Sequence, residues 1–449
     1  MKQPPVWLIV FIWFLLSLAI FYSGHLYSND TVSKVESARN FIKNGSFSVS
    51  GYHGAWGIPV PGDTTYPHFA LGSILLMVPP VACFEILSTV TSNKVPVFIE
   101  KIFISACNLL YTALSGTLFF VLLIRLEKSN REAFVFANLL VFCSEMLQYS
   151  STGWSEPSAF FFGLMGFVTI LCIGSKDKIN PNKAWIDSAW ILWAVCAMIA
   201  SLIRLEYIVF FMLFLFFNLW SDKTQWKKYL VPLFILCINW PFHFWFNHYR
   251  FGSPLNFGYF GVSTGTADSG ISSVFSLIHS IVNRSISINN LKTFYWTYLS
   301  FGRVHWFWVC PLLALSPFAF FKKNKNHFID RIFFSAIIFQ MVIIAMGSNS
   351  WCWANRYMYT SFAYMTLPVF FIKREFTGLK TSILYLSIVG LIISLFSTLI
   401  NYHYVQELAV SKYGYSHAMW GNSNHIFGAM IWSHIALFPE QLINTVKLI

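Results

Sequence analysis

The chain has 449 residues, a length that suits two or three soluble domains, yet 56% of its residues are hydrophobic and only 11% are charged. A soluble domain carries about 25% charge, so this composition excludes a water-covered globule, a disordered chain and a secreted disulfide scaffold. The net charge of +12 comes from basic residues that punctuate apolar runs rather than form one patch, which excludes nucleic acid as a partner.

The first apolar run, 7–27, follows a short basic and proline-containing start and is followed by no small-residue cleavage site, so it reads as a retained membrane helix. Further runs at 99–124, 133–149, 157–174, 185–203, 207–220, 230–248, 302–320, 332–346, 357–372 and 382–400 bring the expected count to about eleven transmembrane helices. Five connecting loops hold more than half of the lysines and arginines: Arg125 to Arg131, Lys176 to Lys183, Lys223 to Lys228, Lys322 to Arg331 and Lys373 to Lys380. Basic loops face the cytoplasm. Eleven spans with the N-terminus inside and the C-terminus outside satisfy all five.

One apolar stretch, HFALGSILLMVPPVACFEIL at 68–87, is long enough to span. A span there would invert every later loop. It is therefore expected as a re-entrant or juxtamembrane segment, broken near Pro79-Pro80. The expected fold is an all-α polytopic membrane protein. Its first outer loop runs over 28–97, with an amphipathic helix at 32–45, and a second large outer loop covers 250–300. Residues 1–402 form one transmembrane catalytic domain, and 403–449 form a short outer tail.

With that topology the unusual polar residues gather on the outer face. These are Asp30 after the first span, Asp63 and Tyr66 before the re-entrant piece, His68 at its start, and Glu156 in GWSEP. Arg204 and Glu206 in IRLEY, Arg250 in HYRFGSP, and Trp351, Trp353, Arg356 and Tyr357 in SNSWCWANRYMY complete the set. Ionisable groups at a membrane boundary are costly unless solvated or paired, so they mark site candidates. Chemistry on the outer face of a bacterial inner membrane has no ATP or nucleotide sugar to draw on, and the chain has neither a GxxxxGK[ST] loop nor a GxGxxG turn. A polyprenyl-linked phosphosugar fits that location. Arginines hold a phosphate by charge-assisted hydrogen bonds, a carboxylate takes the proton of an acceptor hydroxyl, and aromatic rings stack on sugar faces.

These segments resemble the GT-C superfamily of polytopic glycosyltransferases that use lipid-phosphate sugars. Its bacterial relatives include the aminoarabinose transferase of lipid A, the protein O-mannosyltransferases and the serotype-converting enzymes that decorate O-antigen. SNDTVSKVESARNFIKNGSFSV is similar to that family's catalytic first loop, and TYPHFALGSILLMVP to its juxtamembrane helix. GWSEPSAFFF, IRLEYIVFF, HYRFGSPLNFGY and WANRYMYTSFAYMTLP are similar to further recurring segments. The resemblance covers the chain to about Lys373. It implies an inverting glycosyltransferase with Asp30 as catalytic base. Donor phosphate and substrate fall to Arg204, Arg250, Arg356, Glu156, Glu206, Tyr66, His68, Trp351, Trp353 and Tyr357. Many members have two adjacent acids where this chain has Asn29-Asp30. No cofactor is expected, and no residue pattern signals a metal. The implied partners are a polyprenyl-phosphate sugar, a glycan or lipid-linked acceptor such as O-antigen, and the bilayer of the inner membrane.

Plainer roles stand beside these. Glu156 caps a helix, Arg204 and Glu206 form an interfacial ion pair, and Arg250 and Arg356 snorkel. Trp351 and Trp353 form an interfacial belt, and Lys34, Glu36 and Arg39 make the wet face of the loop helix. The eight cysteines read as small buried hydrophobes, and His243, His248 and His305 lack ligand spacing. Two rival functions remain: a transporter or flippase of a lipid-linked glycan, which requires discontinuous helices or charge at membrane depth, and an O-antigen polymerase or ligase, which takes a diphosphate-linked donor.

Overall fold

A computed structural model describes residues 4–22, 29–49, 58–60, 64–67, 69–91, 95–173, 188–255, 310–322, 326–345, 359–372 and 377–399. The second large outer loop beyond 255, the tail 403–449, and Asp63, His68, Trp351, Trp353, Arg356 and Tyr357 lie outside them. The described residues are mostly helical and fall into two compact units: 1–137 with 149–282, and 138–148 with 283–449.

In the first unit α1 is Val6–Ala19, α2 Asn29–Asn44, α3 Leu71–Leu75, α4 Val78–Val90 and α5 Val97–Arg125. Then come α6 Asn130–Phe142 and α7 Met146–Tyr149, whose residues 138–142 and 146–148 belong to the second unit, α8 Glu156–Ile173, α9 Ser188–Ile203, α10 Tyr207–Ser221 and α11 Leu230–Phe251. Among the described residues five helical stretches are long and apolar enough to cross a membrane: Leu71–Val90, Phe98–Arg125, Glu156–Ile173, Trp226–Phe251 and Gly378–Leu395. Four of the eleven expected spans reach that length, while the described residues of 7–27, 133–149, 302–320 and 357–372 are not helical throughout.

Lipid is as apolar as leucine, so membrane helices associate through close packing of small residues. The α8–α9 pair follows that rule. Ala194, Ala197, Ala200 and Ser201 of α9 are buried, and Gly166 of α8 packs against Trp193 and Cys196. A Cβ at Gly166 would lie 3.1 Å from the Trp193 ring, so glycine permits the approach.

The amphipathic helix expected at 32–45 is α2. Gly45 ends it with φ +68, and its N–H donates to Phe41 O at 2.9 Å, the left-handed stop that glycine adopts without a Cβ penalty. Val35 and Ala38 bury with Phe47, Leu71, Ile74, Met77, Val81, Ile104 and Phe246 in one cluster. Each large side chain so buried contributes about 1.5–3 kcal/mol. That cluster fastens α2 to α3, α4, α5 and α11.

The 68–87 stretch breaks at Leu76–Met77, just before Pro79-Pro80, which sit in the first turn of α4, where a missing N–H costs nothing. Two expectations are corrected. Lys34 is 2% exposed rather than on a wet face, and Arg39 is ion-paired. The all-α reading omitted a small antiparallel hairpin, β1 Ile58–Val60 and β2 Thr64–Tyr66, with Ile58 opposite Tyr66 and Val49 bridging Thr65.

In the second unit the described helices are Pro311–Leu315, Ser316–Lys322, His327–Ala345, Tyr359–Thr366, Leu367–Phe371 and Thr377–Leu399. Gly390 lets the last of these press on Cys143, with a Cβ position 2.5 Å from its carbonyl oxygen, and Ser394 Oγ donates to Ser144 O at 2.8 Å.

Candidate functional site

The site is assembled within the first unit from five pieces of chain. Asp30 lies in the first turn of α2, where a carboxylate favours the positive end of the helix dipole. The residue after it, Thr31, packs on Gly153: a Cβ there would lie 2.1 Å from Thr31 Cγ2. One turn on, Lys34 Nζ donates to Gly153 O at 3.4 Å and lies 5.4 Å above the Phe69 ring. The N-terminal turn of α2 is thus seated on the 150–155 loop.

That loop is held from behind by a residue that sequence reasoning missed. Asn108, in the apolar middle of α5, donates through Nδ2 to Thr152 O at 2.6 Å and Trp154 O at 2.7 Å. An asparagine inside a long apolar helix was the available signal. Trp154 also packs against Tyr149, ring centroids 4.5 Å apart.

The loop leads directly to Glu156, the first residue of α8. Glu156 is more than a helix cap: Arg204 Nη1 donates to its Oε1, while Arg204 Nε donates to Glu206 Oε1. The Arg204 and Glu156 side chains are 10% and 2% exposed. The expected Arg204–Glu206 pair is therefore one half of a carboxylate–guanidinium–carboxylate triad at the α9–α10 corner.

The same corner receives α3. A Cβ on Gly72 would lie 2.6 Å from the carbonyl carbon and oxygen of Leu202, so backbone meets backbone two residues before Arg204. Just upstream, Arg250 at the end of α11 reaches back across the chain. Its Nη1 donates to the carbonyls of Pro67 and Phe69, the latter at 2.9 Å, and its Nη2 donates to Asn247 Oδ1 at 2.8 Å. Its guanidinium also lies 4.0 Å from the Phe246 ring centroid. Arg250 is buried and engaged with backbone rather than exposed at the end of a snorkelling chain. It pins the strand carrying Tyr66. Burial, and then the neighbouring Tyr249 hydroxyl, pushes the Tyr66 phenol above its ordinary range.

The structure thus brings Asp30, Tyr66, Glu156, Arg204, Glu206 and Arg250 into one connected framework. His68, Trp351, Trp353, Arg356 and Tyr357 lie outside the described residues. Among the described residues no group of three or more His, Cys, Asp or Glu side chains is arranged to hold a metal.

No family model matches the chain, and no curated protein matches it. Two solved structures are similar. One is the archaeal oligosaccharyltransferase AglB from Archaeoglobus fulgidus in complex with an inhibitory peptide and a dolichol-phosphate: TM-score 0.47, 13% identity, 98% of this chain and 55% of that one. The other is the Archaeoglobus fulgidus oligosaccharyltransferase in the apo form: TM-score 0.47, 13% identity, 92% and 58%. The chain spans a little over half the length of either. Among the described residues the structure establishes mostly helix, five stretches fit to cross a membrane, and an acid-bearing loop helix seated on the loop that leads to a buried ion triad.

Proposed function

We propose that the chain is a membrane glycosyltransferase of GT-C type that moves a sugar from a polyprenyl phosphate to an acceptor hydroxyl, with inversion. The observation that carries this reading is the seating of Asp30's helix turn on the loop that ends in Glu156, beside the Arg204 triad. It puts an ionisable acid and a fixed charge cluster at the end of membrane helices.

In this reading Asp30 accepts the proton of the acceptor hydroxyl, whose oxygen attacks the anomeric carbon. The bond from that carbon to the phosphate oxygen breaks, and polyprenyl phosphate leaves with the electron pair. Arg356 meets the phosphate, because the other two arginines are already engaged. Arg204 is balanced by two carboxylates and fixes Glu156 and Glu206 as walls for the acceptor. Arg250 positions the 66–69 strand, with Tyr66 and His68 as substrate contacts. Trp351, Trp353 and Tyr357 line the sugar. The site faces the periplasm of a bacterial inner membrane in an eleven-span topology, 68–87 is re-entrant, and the acceptor is a lipid-linked or surface glycan such as O-antigen. No cofactor is required in this scheme.

The mass of surface glycan tests it, from isogenic cells with the gene intact, deleted or carrying Asp30→Asn. Loss of one sugar per repeat in the deleted and Asp30→Asn cells supports the reading. Collapse of the whole polymer, with repeats accumulating on lipid, points instead to a flippase, polymerase or ligase.

One observation favours the flippase. The 133–149 segment, expected as one span, is interrupted between Phe142 and Met146, and Glu145 is buried at the interruption. A discontinuous helix with a buried acid is a device of transport sites. Glu145→Gln separates the two: a flippase loses lipid-linked glycan translocation, whereas a glycosyltransferase keeps sugar transfer.

A further inference from the structure

The outer end of α11, with the strand that Arg250 pins to it, carries an aromatic corner of which the mechanism above uses only Tyr66. Tyr249 is its hinge. Its ring meets the Tyr66 ring at 5.8 Å and 70°, and it stacks with Trp245 one turn earlier at 6.1 Å and 27°. Phe47 supports Tyr249 edge-on at 6.1 Å, and Phe41 stacks behind Phe47 at 4.5 Å. Tyr249 is 39% exposed and Trp245 55%. The Tyr249 and Ser46 hydroxyls neighbour that of Tyr66. Two partly open rings and a row of hydroxyls therefore share one surface, backed by a second layer of rings.

The segment that leads into the same helix from the end of α10 supplies the contrast. There Trp220 and Trp226 are exposed beside lysines, with Lys223 Nζ 4.9 Å from the Trp220 ring, as in an interfacial belt. At the outer end the rings are joined to hydroxyls and held on a strand latched by a buried arginine. A hydrocarbon chain makes no use of paired hydroxyls. A saccharide has C–H faces that pack on rings and a hydroxyl edge that both donates and accepts.

We propose that Tyr66, Tyr249 and Trp245 form a platform for the sugar ring of a lipid-linked saccharide, Trp245 meeting it from the lipid side and the Tyr66–Tyr249 hydroxyls reading its edge. This deepens the glycosyltransferase reading and rests on it.

The test uses the full-length protein in lipid nanodiscs. Binding is measured for short-chain isoprenyl phosphates carrying glucose, galactose or mannose, and for the same isoprenyl phosphate without sugar. Trp245→Leu and Tyr249→Leu are expected to weaken the best sugar-bearing lipid about tenfold and to leave the sugar-free lipid unchanged. Tyr249→Phe keeps the ring, so it tests the hydroxyl if the leucine variants fail to fold; it is expected to narrow the preference among the three hexoses. Equal weakening of both lipids, or no change in either, would overturn the platform and leave an aromatic belt. Wild-type protein that binds neither lipid would overturn the lipid-phosphate reading itself, and the platform with it.

Discussion

Arg204 and Glu156 are 48 positions apart and form a buried ion pair, at the C-terminal end of α9 and the first turn of α8. Each side chain alone would be a charge taken out of water. Removing one partner of a buried pair costs about 3–5 kcal/mol, because the other is left uncompensated. Arg204→Met and Glu156→Leu are each expected to lower the unfolding midpoint of the protein in nanodiscs. The double variant is expected to recover most of that loss. Additive losses in this double-mutant cycle would show that the two groups do not sense one another.

Asn108 makes a second prediction. Its two donor bonds hold the carbonyls of Thr152 and Trp154, and so the loop under Asp30. Asn108→Leu leaves both carbonyls buried without a donor, at about 1–3 kcal/mol each. Sugar transfer is expected to fall with kcat more affected than KM for the donor, since the residue orients the acid's support and does not touch substrate. A change confined to KM would place Asn108 in direct contact instead.

Gly72→Ala tests the α3–α9 contact. The new methyl would meet the backbone of Leu202 and Ile203 at 2.6–2.7 Å, and backbone has nowhere to retreat. Overpacking of this kind costs about 1–3 kcal/mol or more. The expected readout is faster limited proteolysis around 66–71. Gly378, with nothing within 4 Å of its Cβ position, is the control: Gly378→Ala is expected to be silent.

Arg39 anchors the far half of α2. Its Nε donates to Glu85 Oε1 at 3.0 Å and its Nη2 to Glu100, while Lys43 Nζ meets the other Glu85 oxygen at 2.9 Å. The pairs are partly exposed, so Arg39→Ala is expected to cost about 1–2 kcal/mol. Arg39→Lys keeps the charge but not the two-acid fork, and is expected to restore about half. Differential scanning of the three proteins measures it.

Hydropathy and basic-loop spacing made the helices legible, and the loop helix appeared from its amphipathic pattern and Gly45. The grouping of Asp30, Glu156, Arg204 and Glu206 was expected from the topology read off the basic loops. Their connections were not. Period and charge say nothing of Gly153 receiving Thr31, or of Asn108 holding two carbonyls 44 and 46 residues away. Lys34 misled because a lysine on an amphipathic helix is ordinarily solvated, and only tertiary packing buries it. Nor could the sequence show that Arg250 donates to the carbonyls of Pro67 and Phe69, which become its neighbours only on folding. The break at Leu76–Met77 was legible from Pro79-Pro80, which have no N–H to bond the carbonyls of Leu75 and Leu76.

The central claim is that Asp30 is the base in sugar transfer from a lipid phosphate. The most direct measurement is transfer of a radiolabelled hexose from a polyprenyl-phosphate donor to acceptor glycan by the purified full-length protein in nanodiscs, wild type against Asp30→Asn. Loss of about 100-fold or more in kcat, with an unchanged unfolding midpoint, is the predicted result. Full transfer by Asp30→Asn would contradict it.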